Sequence, residues 1–139
     1  MEEPPPLVVD ANIVVYMLLD GEKTPAARRL HEKRPDWVCP PILRHEFMNV
    51  CATYQRAGGL SREECLALLG TGVALLSGRE VNVDPQAVVG IAMDLELSAY
   101  DAQYVATALA LQGLLVTEDR LVLTRAPTVA HSLEGYARL

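Results

Sequence analysis

Apolar and polar positions along the chain repeat with two different periods. Leu7-Val8-Val9 is a short, fully apolar, β-branched-rich run that stops at Asp10, the pattern of a strand buried on both faces. Asn12 is placed to cap a helix over residues 13–19, since its side-chain oxygen can accept from free first-turn amides, and Asp20-Gly21-Glu22 breaks that helix. Pro25 opens a second helix over residues 26–33, which Pro35 closes. Asp36-Trp37-Val38-Cys39 predicts a second strand, cut off by Pro40-Pro41.

Between Pro41 and Ala57 the period lengthens. Leu43, Phe47, Val50, Cys51 and Tyr54 recur every three or four positions, so a long amphipathic helix runs to Gly58-Gly59. Ser61 and Glu64 form the capping box of the next helix. Val81-Asn82-Val83 predicts a weak third strand, and Asp84-Pro85 reads as cap and first turn of a helix to about Leu95. Ser98 starts a helix that runs to about Gln112 and stops at Gly113. Leu114-Leu115-Val116-Thr117 is a fourth strand, with a short strand near Val129 and a last helix from Ser132. Strands alternating with helices imply a central, mainly parallel sheet of about 4–5 strands, covered on both faces. No repeat, low-complexity tract or linker interrupts the pattern, so residues 1–139 read as one α/β domain whose site lies beyond the carboxyl ends of the strands.

Composition narrows this picture. With 139 residues, half of them apolar and 22% charged, the chain can bury a sizeable core and is not disordered. The apolar stretch over residues 66–76 contains Gly70, Thr71 and Gly72 and is too short to span a bilayer. The acidic, Pro-rich start lacks the basic and apolar regions of a secretory signal, which predicts a cytoplasmic protein. Cys39, Cys51 and Cys65 are odd in number and widely spaced, as expected of small buried hydrophobes in a reducing compartment. The 12 Lys+Arg against 18 Asp+Glu give a net charge of -6, which argues against holding nucleic acid by bulk charge.

The positions of the acids matter more than their number. Asp10 follows the first strand, Asp119 follows the fourth, Asp101 lies in the first turn of the helix leading back into that strand, and Glu46 lies one turn into the long helix. All four fall at one rim of the expected sheet. Carboxylates brought together repel one another unless a cation lies between them, and oxygen donors without His or Cys suit a hard ion, Mg²⁺ or Mn²⁺. Such an ion on an open rim supports hydrolysis of a phosphodiester. Each acid alone also has a plain structural use. Asp101 completes a capping pair with Ser98, Asp10 and Asp119 can end strands, and Glu46 can face solvent. Only their conjunction points to chemistry.

These residues resemble the PIN-domain ribonucleases and, among them, the small toxins of VapBC toxin–antitoxin pairs. The matching pieces are Leu7-Val8-Val9-Asp10-Ala11-Asn12, Arg44-His45-Glu46-Phe47, the stretch Ser98-Ala99-Tyr100-Asp101-Ala102-Gln103-Tyr104-Val105-Ala106-Thr107-Ala108, and Leu114-Leu115-Val116-Thr117-Glu118-Asp119. They occur in the family's order over nearly the whole chain, and the stretch from Ser98 to Ala108 is the most specific. The resemblance implies a three-layer α/β/α fold in which Asp10, Glu46, Asp101 and Asp119 hold Mg²⁺ or Mn²⁺ for catalytic cleavage of RNA. It further implies that Asn12 and Thr117 support those acids by hydrogen bonds, that an antitoxin protein binds the chain, and that the chain forms a homodimer. Glu118 departs from the pattern and receives no catalytic role.

Other features stay open between local and functional uses. Arg28, Arg29, Lys33 and Arg34 form a basic cluster suited either to phosphate contact or to a solvated helix face. Arg44 and Arg120 can steady a substrate backbone or pair with nearby acids. His31, His45 and His131 have no metal-ligand spacing, and Tyr100 and Tyr104, one turn apart, are expected to pack. A phosphoacceptor receiver domain requires adjacent acids after its first strand and a lysine near its last; the only lysines here are Lys23 and Lys33. The remaining alternatives are a PIN nuclease of RNA processing outside a toxin pair, and a PIN fold that only binds. Setting the four site acids aside leaves 14 acids against 12 bases, a balance of -2, so RNA recruitment is expected to be local and ion-dependent.

Overall fold

The computed structural model describes residues 3–139. Three parallel strands lie in the order β1 (Leu7–Val9), β2 (Leu114–Val116), β3 (Ala130–His131), with Val9 opposite Val116 and Val116 opposite His131. All three residues of β1 are completely buried. Side chains alternate between the two faces of a strand, so the sheet is covered on both sides, as the unbroken apolar run requires.

The two weaker expected strands shrink to single parallel bridges that continue the sheet past β1, Val38 to Val8 and Cys39 to Glu80. Pro40 and Pro41 explain this. A strand entering them loses its next amide donors, so Cys39 is the last residue able to pair, and Val81 binds only the Cys39 carbonyl. Asn82 and Val83 then have no neighbour to pair with, and the strand expected there does not form.

Among the described residues eight helices connect these segments: α1 (Ala11–Leu18), α2 (Thr24–Lys33), α3 (Ile42–Ala57), α4 (Arg62–Leu75), α5 (Pro85–Leu95), α6 (Ala99–Ala110), α7 (Arg120–Arg125) and α8 (Leu133–Ala137). The capping box of Ser61 and Glu64 forms, and Asp84, Ser98 and Ser132 cap α5, α6 and α8. One cap differs from expectation. Asp10 rather than Asn12 caps α1, accepting from the Ile13 amide at 3.1 Å, and this moves the helix start two residues closer to the strand. Short α7 has no counterpart in the sequence expectation, because a six-residue helix carries too little periodicity to read.

The largest buried side chains, Trp37, Phe47, Leu7, Ile13, Leu43 and Leu115, belong to one core formed by the sheet and helices α1 and α3. Gly72 lets α4 lie directly on the Phe47 ring; a Cβ there would collide with it. Among the described residues no helix is long and apolar enough to cross a membrane. The three cysteines are free and buried, and burial pushes the Cys39 thiol up to about 12, which leaves it unreactive.

Candidate metal centre at the carboxyl rim of the sheet

Because the strands are parallel, their carboxyl ends share one rim, and the chain leaves β1 and β2 there through Asp10 and through Thr117 to Asp119. Helix α6 runs back towards the start of β2, so its first turn, with Asp101, lies at the same rim. Helix α3 starts after the Val38–Cys39 bridges and brings Glu46 one turn in. Asp10, Glu46, Asp101 and Asp119 all line one pocket of about 90 Å³, together with Asn12, Thr117 and Tyr104. A larger cavity of about 240 Å³ between α3 and α4 holds none of these acids; Arg44 lies at it, paired with Glu80 at 2.7 Å.

Each acid is held differently. Thr117 Oγ1 donates to Asp10 Oδ2 at 2.5 Å and accepts from the Asp119 amide at 3.0 Å, so one buried hydroxyl ties the ends of β1 and β2 together. The Tyr104 phenol, on α6, donates to Glu46 Oε1. Asp119 caps α7, its Oδ1 accepting from the Leu121 and Val122 amides at 2.9 and 3.1 Å. Asp101 offers its backbone amide to Ser98 Oγ at 3.0 Å. Asn12 lines the pocket from an exposed position in the first turn of α1.

Burial and crowding both act on these carboxyls. Asp10 is pushed up to about 6, chiefly by desolvation, against the hydrogen bonds from Thr117 and Ile13 and with further repulsion from Glu46 and Asp119. Glu46 is raised by burial, opposed by the Tyr104 bond and reinforced by Asp101, and Asp101 is raised by burial and by Asp119. Tyr104 is itself raised by burial and by its carboxylate partner, so it remains a proton donor.

Among the described residues no Lys or Arg lines the pocket to relieve this repulsion. Among the described residues no three His, Cys, Asp or Glu side chains stand close enough to enclose an ion directly. The donor chemistry nevertheless fits a hard divalent cation, which keeps several of its waters and needs only one or two carboxylates as direct partners.

The structure sorts the other candidates. Arg34 of the basic cluster is buried, forked onto Asp36 at 3.0 Å and donating to the Pro5 carbonyl and the Tyr136 hydroxyl, while Arg28 binds the Met17 carbonyl and Asp20. Arg29 and Lys33 remain exposed. His31 packs edge-on against Trp37. Glu118 turns away from the pocket to pair with Lys23 at 3.2 Å and to accept from the Leu133 amide. The expected packing of Tyr100 with Tyr104 does not occur: Tyr100 is 63% exposed, whereas Tyr104 is buried against Glu46. That role of Tyr104 was missed, although its position three residues after Asp101 on one helix was a usable signal.

A parallel α/β fold with an acidic pocket at the carboxyl ends of its strands defines the class of protein. The chain belongs to the PIN domain family, whose sequence profile matches residues 7–127, and this places it among the PIN nucleases. No curated protein sequence matches it. Three solved structures are similar. PAE2754 from Pyrobaculum aerophilum is 19% identical with a TM-score of 0.74, covering 94% of this chain and 85% of that one. FitAcB from Neisseria gonorrhoeae is 16% identical with a TM-score of 0.69, covering 92% and 98%. A toxin–antitoxin complex from Klebsiella pneumoniae contains a chain 20% identical with a TM-score of 0.63, covering 90% and 96%. At these identities the likeness is one of fold.

Proposed function

We propose that this chain is an endoribonuclease dependent on Mg²⁺ or Mn²⁺ and the toxin of a toxin–antitoxin pair. The observation that carries the reading is the meeting of four carboxylates, from four separated segments, in one pocket without a lining cation. Asp10, Glu46, Asp101 and Asp119 would hold the ion, one or two of them directly and the others through its waters. When bound, it supplies charge stabilisation for phosphodiester hydrolysis and an activated water. Thr117 orients Asp10 by donating to its Oδ2. Arg29, Lys33 and Arg120, all exposed, are the candidates for phosphate contacts.

The toxin assignment rests on the fold likeness to a chain in a toxin–antitoxin complex and on the sequence resemblance to VapBC toxins. It implies an antitoxin that blocks the acidic rim, a homodimer, and action of residues 1–139 as one domain in the cytoplasm, where the thiols stay reduced. The test is incubation of wild type and Asp10→Ala with mixed cellular RNA, with and without EDTA. Cleavage by wild type alone, lost in EDTA, is the expected outcome; wild-type protein that cuts no RNA with either ion overturns the reading. Growth arrest on expression, relieved by the neighbouring small gene's product, separates a toxin from a processing nuclease.

A further inference from the structure

We infer that Tyr104 is a positioning residue for Glu46: its buried phenol donates to Glu46 Oε1 and leaves Oε2 as the free oxygen of that carboxylate. This rests on the carboxylate site proposed above and adds a residue to it.

Three observations carry the inference. Tyr104 is only 4% exposed yet lines the acidic pocket, so its hydroxyl is a polar group brought deliberately inside, and Glu46 is its hydrogen-bond acceptor. The bond joins α6 to α3 across 58 residues of sequence, so it fixes a relation between two helices that nothing local sets. Asp101 and Tyr104 are three residues apart on α6 and therefore share a face, so one helix supplies both an acid of the pocket and the holder of the acid opposite.

Glu46 needs such a holder more than its companions do. A Glu side chain has one more torsion than an Asp, and Glu46 is repelled by the charge of Asp101. Asp10 and Asp119 are short and fastened by backbone amides at the starts of α1 and α7. Glu46 projects from the interior of α3, where the amides are taken by the helix itself, so a side-chain donor must do this work. Without the phenol, repulsion favours rotamers that carry the Glu46 carboxylate away from Asp101 and out of the pocket.

The test is Mn²⁺ binding, read from the electron paramagnetic resonance of free Mn²⁺, on wild type, Tyr104→Phe, Glu46→Gln and the double variant, with Tyr100→Phe as a control on the same helix. Tyr104→Phe is expected to weaken Mn²⁺ binding about 10-fold or more, the usual loss when a ligand's supporting partner is removed. RNA cleavage at low Mn²⁺ should fall with it and recover at saturating Mn²⁺, which a merely structural defect would not do and which also shows that the variant folds. In the Glu46→Gln background the Phe substitution should change binding by less than about twofold, because the two act as a unit. Wild-type affinity in Tyr104→Phe, or an equal loss with Glu46 already replaced, overturns the assignment. If wild type itself binds no Mn²⁺, the carboxylate-site reading fails and the role of Tyr104 with it.

Discussion

The pocket has two halves built on different principles. Asp10 and Glu46 are half-buried and take hydrogen bonds from side chains far away in sequence, Thr117 and Tyr104. Asp101 and Asp119 lie nearer solvent and are fixed by the caps of the helices they begin. In the inner half the fold has spent buried hydroxyls to hold charges that burial disfavours; in the outer half ordinary helix-start chemistry serves, and the acids are placed at little cost. Glu46 is thus pre-organised by tertiary structure alone, Asp10 by a tertiary bond added to its cap on α1, and the outer pair by local structure.

The largest expected effect follows from the inner half. Asp10→Ala removes a proposed ion partner and the cap of α1, and RNA cleavage should fall by about 10³-fold, the scale of several kcal/mol of lost charge stabilisation. Asp119→Asn, which keeps a capping side chain, should lose less, measured under the same conditions. Equal losses at the two positions would erase the distinction between the halves.

Thr117→Val comes next. It deletes the donor to Asp10 and the acceptor for the Asp119 amide while keeping side-chain shape, so Mg²⁺ or Mn²⁺ affinity, measured by calorimetric titration, should weaken by about 10–100-fold. An unchanged affinity would mean that Asp10 needs no help from β2.

The inner half also sets a pH dependence. Asp10 titrates at about 6 in the fold against an ordinary 3.8, so its neutral form is favoured when folded. The sign is the reverse of the usual acid denaturation: the stability of the metal-free protein is highest below about pH 4 for this group and is lost as pH rises through 6. Glu46 and Asp101 act in the same direction. Asp36, held low by Arg34, works oppositely, but only on the acid side of the ordinary carboxylate range. In EDTA the thermal midpoint should therefore fall between about pH 4 and 6.5 and level off above, and Asp10→Asn should raise stability at neutral pH by about 1–3 kcal/mol. A midpoint that climbs over that interval would contradict a desolvated Asp10.

How much of this was legible beforehand divides along the same line. The four acids could be placed at one rim because parallel strands share their carboxyl ends and because Pro41 and Ser98 mark the starts of the helices that carry Glu46 and Asp101. The Ser98–Asp101 fastening is short-range and can be read from spacing, whereas the cap that Asp119 makes on α7 could not, because so short a helix carries too little periodicity. The Asp10–Thr117 and Glu46–Tyr104 bonds span 107 and 58 residues, and no local pattern encodes which hydroxyl faces which carboxylate. The lost strand has a related cause: Val81-Asn82-Val83 has strand composition, but whether it pairs depends on its neighbour, and that neighbour ends at Pro40. Arg34 sat in a basic run with the look of a surface, yet its guanidinium is enclosed by Pro5, Asp36 and Tyr136.

Glu118 gives the smallest effect and the finest control. It lies between Thr117 and Asp119 in sequence, but its carboxylate points to Lys23 and to the start of α8, away from the pocket. Its ion pair is half-exposed on the lysine side, a geometry worth no more than about 1 kcal/mol. Glu118→Gln keeps an acceptor for the Leu133 amide, so the thermal midpoint should drop by no more than a few degrees and RNA cleavage should stay within about twofold of wild type. A loss of cleavage comparable to that of Thr117→Val would show that Glu118 belongs to the acidic site, and that adjacency in sequence, rather than the direction of each side chain, decides membership of the rim.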